Sequence, residues 1–182
     1  GTTIATGAEL RLTGGIILSS EAITLNGQGV SAAGALRSSA GSNTVSSAIT
    51  LASAARINSD AATLILSGGV SSTDQGMTIG GAGNVTVSTI GLSLGTGGLT
   101  KDGLGILTLT SANSFTGATL ISAGTLTAAS GALAGTSGIT VNGATLTAVN
   151  VNAAATLTLN ATGLATISAV DQTVGAVTNA NA

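Results

Sequence analysis

Along the whole chain, short runs of aliphatic residues alternate with Thr, Ser or Asn and stop at small-residue turns. Glu9-Leu10-Arg11-Leu12-Thr13, Ala22-Ile23-Thr24-Leu25-Asn26, Asn84-Val85-Thr86-Val87-Ser88, Leu107-Thr108-Leu109-Thr110 and Ala155-Thr156-Leu157-Thr158-Leu159-Asn160 all have this form. A period of two puts Leu10 and Leu12, or Leu157 and Leu159, on one face of a β-strand. Between the runs stand Gly14-Gly15, Asn26-Gly27, Gly68-Gly69, Gly80-Gly81, Asp102-Gly103 and Asn142-Gly143. Such pairs supply the positive φ of tight turns. No stretch combines a helical period with caps, so the pattern predicts an all-β chain.

Strand spacing alone does not separate a sandwich from a solenoid. The unit repeats from end to end without a change of character, as stacked architectures do. Its apolar positions hold Leu, Ile, Val and Ala, which suit a narrow lumen where like positions stack. Thr, Ser and Asn are short enough to form ladders along parallel strands, whereas a sandwich of this length would place large aromatics in its core. The expectation is a right-handed parallel β-solenoid (β-helix) occupying 1–182 as one segment. At about 20 residues per rung it has roughly eight or nine rungs. One rung cannot bury its own inward face, so the partners of each rung are its neighbours or other copies of the chain. Neither end carries a convincing cap, and with no initiator Met the chain reads as a processed piece or excised fragment of a longer repeat protein, or as a fibre subunit.

Composition narrows the function. Charged residues are 5% and aromatics 1% of the 182 residues, with no Pro, Cys, His, Trp or Tyr. Disorder needs low hydrophobicity and high charge, the reverse of this chain. The apolar stretches are too short for a spanning helix, which takes about 20 apolar residues. A lone Phe115 cannot form the aromatic girdles of a membrane barrel, so the chain is expected not to span a membrane. Arg11, Arg37, Arg56 and Lys101 are too few and too scattered for nucleic acid.

Without His or Cys there is no Ser-His-Asp triad, no Cys-His pair and no thiolate metal site. Glu9, Glu21, Asp60, Asp74, Asp102 and Asp171 stand singly, as solvated turn or surface residues, rather than as the carboxylate cluster of a polysaccharide-cleaving solenoid. Lys101-Asp102 is expected at a solvated corner. No residue pattern points to catalysis, a cofactor or a metal: Gly80-Gly81-Ala82-Gly83 lacks the Asp of calcium-binding repeats, and Gly27-Gln28-Gly29 is a turn. Asn84-Val85-Thr86 and Asn160-Ala161-Thr162 fit a glycosylation pattern but are expected to be ladder residues. Thr-x-Thr occurs at Thr108/Thr110 and Thr156/Thr158 without recurring in every unit, so an ice-binding face is not expected.

Residues 98–127 carry a longer signature. Leu99, Lys101, Gly103, Gly105, Leu107 and Leu109 are followed by Asn113, Phe115, Gly117, Thr119, Ile121, Gly124 and Leu126. This spacing closely resembles the autotransporter-associated β-strand repeat, also called the passenger-associated transport repeat. Phe115 stands where that family usually has Tyr, Ser111 where Gly is common and Ile106 where Thr is common. A looser echo covers 25–97. The resemblance implies a right-handed β-helical passenger exported to the outer surface of a Gram-negative bacterium. It points to a stalk, spacer or adhesin segment, with a host or matrix surface as a further partner. A self-assembling subunit of an extracellular fibre or sheath is the alternative, and a polysaccharide-acting β-helix a third. In the repeat, Leu107 and Leu109 would point inward, Asp102-Gly103 would turn the chain, and Phe115 would plug a corner.

Overall fold

The computed structural model describes residues 1–168 and 175–179; 169–174 and 180–182, with Asp171 among them, lie outside the described residues. It is an all-β parallel solenoid of about eight turns. The first turn lays β1 (Thr2–Ile4), β2 (Leu10–Thr13) and β3 (Ile17–Leu18) on three successive walls. The second repeats them as β4 (Ile23–Gly27), β5 (Leu36–Ala40) and β6 (Asn43–Val45). Three longer strands then run around corners. β7 (Ile49–Ser59) passes from wall one to wall two, while β8 (Thr63–Ser72) and β10 (Asn84–Ser93) pass from wall three to wall one. Between them β9 (Met77–Gly80) continues wall two.

From there wall two is built by β11 (Leu99–Lys101), β13 (Thr119–Ile121), β15 (Gly138–Asn142), β17 (Thr156–Asn160) and β19 (Val177–Asn179). Wall three continues through β12 (Ile106–Leu109), β14 (Thr125–Ala128), β16 (Thr145–Ala148) and β18 (Leu164–Ile167). Among the described residues wall one continues here as isolated bridges, Gly95 with Phe115 and Leu133 with Val151. Every pairing is parallel, because each turn returns to the same wall in the same direction. The advance per turn falls along the chain: Ile17 lies opposite Thr44, 27 residues on, whereas Ile139 lies opposite Leu157, 18 residues on.

Alternation along each strand sends one file of side chains into the lumen. On wall three, Leu64, Val85, Leu107, Leu126 and Leu146 stack in register, and each is at most 2% exposed. On wall two the file runs Leu10, Leu36, Ile57, Ile79, Lys101, Ile121, Val141 and Leu159. Burial of each Leu or Ile stabilises the stack by about 1.5–3 kcal/mol. The contacts lie between turns, so the stability belongs to neighbours rather than to any single turn.

The outward file of wall three is a threonine line, Thr86, Thr108, Thr127, Thr147 and Thr166, in five successive turns. Variation in turn length hides this line in the linear sequence. The file beside it is mixed, pairing Ile106 with Thr125, then Thr145 with Leu164, so no regular Thr-x-Thr face forms.

Candidate functional site

The residues of the 99–126 signature occupy one full turn and the start of the next, which runs along wall two from Thr119 to Ile121 and reaches wall three at Leu126. Leu99, Leu107, Leu109, Ile121 and Leu126 point into the lumen and are 0–1% exposed. Phe115 is 2% exposed and bridges Gly95, filling the lumen where wall one has lost its continuous strands. The glycines stand where adjacent turns touch. A Cβ on Gly105 would lie 1.8 Å from the Gly83 carbonyl oxygen, and one on Gly117 would lie 2.4 Å from that of Gly97. At Gly103 the same clash, 2.4 Å to the Gly81 nitrogen, combines with φ of +74°; Gly124 likewise has φ of +66° and 2.5 Å to the Gly103 oxygen. No larger residue fits these corners without moving the backbone.

The polar members of the signature join turns. Asn113 accepts a hydrogen bond from the Leu92 N–H (2.7 Å) and donates one to the Ala132 carbonyl (2.8 Å), so one amide ties three turns together. Thr119 is 1% exposed and shares a hydroxyl contact of 3.1 Å with Thr136. The Thr136 hydroxyl in turn lies 2.9 Å from the Gly117 oxygen. Elsewhere the same role falls to the buried Asn43, which accepts from Gly15 and Ile16 N–H and donates to Ser38, Ala40 and Gly41. Asn84 is a ladder residue of this kind, accepting from the Ile106 N–H at 2.9 Å.

Lys101 departs from expectation. It is 2% exposed and occupies the inward file between Ile79 and Ile121 rather than a solvated corner. Its Nζ donates to the carbonyls of Asp102 (2.9 Å), Gly103 (2.8 Å) and Ala123 (3.2 Å). Three donors meet three acceptors, which is how an ammonium group is tolerated in an apolar lumen. Burial pushes the Lys101 pKa below the usual lysine range, with the Asp102 carboxylate opposing the shift and Arg56 adding to it. Alternation does place Lys101 inward; a lysine's ordinary preference for water argued the other way.

The charges also differ from the scattered picture. Asp102 pairs bidentately with Arg56, both contacts at 2.7 Å. Arg56 donates to Asn58, and Asn58 to Asp60 at 2.7 Å. Arg37 donates to Asp60 at 2.7 Å and lies 3.6 Å from Glu9, which also holds Arg11. All three arginines and three of the acids thus form one continuous seam along wall two, from β2 to β11. The pairing with Asp60, and with Glu9 after it, raises the Arg37 pKa above its ordinary value. Glu9 and Asp60 meet at Arg37, so their charges are balanced within the seam rather than set on either side of a cleft.

The remaining described acids stand apart. Glu21 is 57% exposed near the N-terminal amine, and Asp74 is held below the usual carboxylate range by the Thr96 N–H. Among the described residues no group of three or more His, Cys, Asp or Glu is placed to hold a metal ion. The cavity of about 160 Å3 lined by Thr2, Leu10, Leu18, Glu21 and Ile23 lies at the first-turn end of the lumen. No helix among the described residues is long and apolar enough to cross a membrane.

Compared with known families, residues 99–128 match the passenger-associated-transport-repeat model. That match and the solenoid together fit a passenger repeat protein of the autotransporter type. No curated protein and no solved structure matches the chain.

Proposed function

We propose that this chain is a non-enzymatic structural segment, a stalk or adhesin passenger, of a secreted bacterial protein of the autotransporter type displayed at the cell surface. The supporting observation is what the repeat's own residues do. Its aliphatic residues and Phe115 fill the lumen, its glycines permit contact between corners, and Lys101, Asn113 and Thr119 satisfy polar groups of their own and adjoining turns. None of these side chains is left projecting toward a ligand. A parallel stack separates its two ends by a fixed distance, which is the property a stalk requires. Its partners would be the flanking turns of a longer solenoid and a host or matrix surface contacted elsewhere.

The test is electron microscopy of the purified chain together with light scattering. Eight turns at about 4.8 Å each predict monomeric rods with a stacked length of roughly 40 Å. Obligate polymers at low concentration, with one chain per axial repeat, would replace the stalk by a fibre or sheath subunit. Hydrolysis of a polysaccharide that is abolished by Glu9→Gln or Asp60→Asn would overturn the non-enzymatic assignment.

A further inference from the structure

The inward files present a difficulty that hydrophobicity does not solve. On wall two the positions around Lys101 hold Ile57, Ile79, Ile121 and Val141, and any of these stacks acceptably on any other. A chain of near-identical turns can therefore loop one turn out and continue stacking, losing only the contacts of that turn. Backbone hydrogen bonds do not oppose the slip, because they carry no sequence information. The turn containing β11 has the most reason to leave, since it buries the chain's only lysine in the lumen.

We infer that the charged seam on wall two is a register ruler, which makes the first five turns stack in chain order with none omitted. Each link joins particular side chains on different turns. Glu9 on the first turn, Arg37 on the second and Asp60 on the third form one set of contacts. Arg56 on β7 then reaches past β9 to Asp102, which follows β11, 46 residues away in sequence. The crossing point is Gly80. A Cβ there would lie 1.9 Å from Asp102 Oδ1 and 2.3 Å from Arg56 Nη2. The bridge therefore fits an intervening turn that presents no side chain at this place. It holds the turn that buries Lys101, and it measures two turns rather than one.

Disulfide trapping tests this directly, because the chain has no cysteine of its own. Thr78 lies opposite Thr100, and Thr100 opposite Leu120, all on the outer face of wall two. Thr78 and Leu120 are thus two strands, about 9–10 Å, apart in the native stack. A disulfide requires Cα atoms within about 7 Å, so Thr78→Cys with Leu120→Cys closes only when the β11 turn is looped out. In this reporter background the intramolecular cross-linked fraction should be small. Arg56→Ala with Asp102→Ala should raise it about tenfold, the effect of a coupling in the middle of the range found for contacting charges. The exchanged pair, Arg56→Asp with Asp102→Arg, should return it to the parent level.

A neutralised protein that keeps its β-sheet circular dichroism but cross-links no more than the parent would overturn the inference. So would an exchanged pair that cross-links as freely as the neutralised one. If the neutralised protein does not fold, the exchanged pair decides: it must fold and remain un-cross-linked, and its failure on either count refutes the ruler.

Discussion

The two halves of the solenoid are tied together in different ways. Up to Asp102 the turns are longer, wall one is built of real strands, and an ionic seam runs across wall two. After Asp102 the sequence has a single further charge, Asp171, outside the described residues. There the turns tighten, and among the described residues wall one is reduced to bridges. Buried Phe115, amides and hydroxyls take over the work of joining one turn to the next. Stacking thus tolerates two kinds of glue. Ion pairs distinguish one turn from another, whereas side chains bonded to backbone hold turns together without distinguishing them. Only the first kind depends on ionic strength.

The strongest way to break the second half is to empty its lumen. Phe115→Ala should destabilise the protein by about 3–5 kcal/mol, read as a shift of the midpoint in chemical denaturation. Next comes the amide that joins three turns. Asn113→Ala strands the Leu92 N–H and the Ala132 carbonyl and should cost about 1–3 kcal/mol in the same assay. Hydrogen exchange should show the loss first between Leu92 and Ala132.

The first half should respond to charge instead. Arg56→Ala should cost about 1–2 kcal/mol, since the pair is only partly exposed and leaves Asp102 without its partner. Molar salt should reduce the difference between wild type and variant, while leaving the cost of Asn113→Ala unchanged.

The smallest effect belongs to Lys101. Its pKa is lowered in the folded state, so between that depressed value and the ordinary 10.5 the unfolded chain binds more protons. Stability should therefore rise as pH climbs through this window, and it should be flat there in Lys101→Met. Denaturation midpoints measured from neutral pH to about pH 10.5 check the sign.

Much of the architecture was legible beforehand because its cause is local. Period-two alternation names Leu107, Leu109 and Leu126 as inward residues wherever the strand lies, and glycine pairs mark corners by their permitted φ. The spacing from Leu99 to Leu126 was legible for the same reason, since it covers one turn and only the start of the next. The seam was not. Arg56 and Asp102 are 46 residues apart, Arg37 and Asp60 are 23 apart, and unequal turn lengths prevent any fixed period from pairing them. Variation in turn length also concealed the threonine file of wall three.

The sequence by itself determined that the chain is built of alternating strands closed by glycine corners, and that 99–126 carry a spacing resembling the passenger-associated transport repeat. Both follow from neighbours along the chain, through side-chain alternation and backbone freedom. Only the tertiary structure decided which charges meet, that Lys101 turns inward to three carbonyls, and that Asn113 binds the turns on either side. Those outcomes depend on which turn lies on which, a relation set by stacking that no local pattern contains.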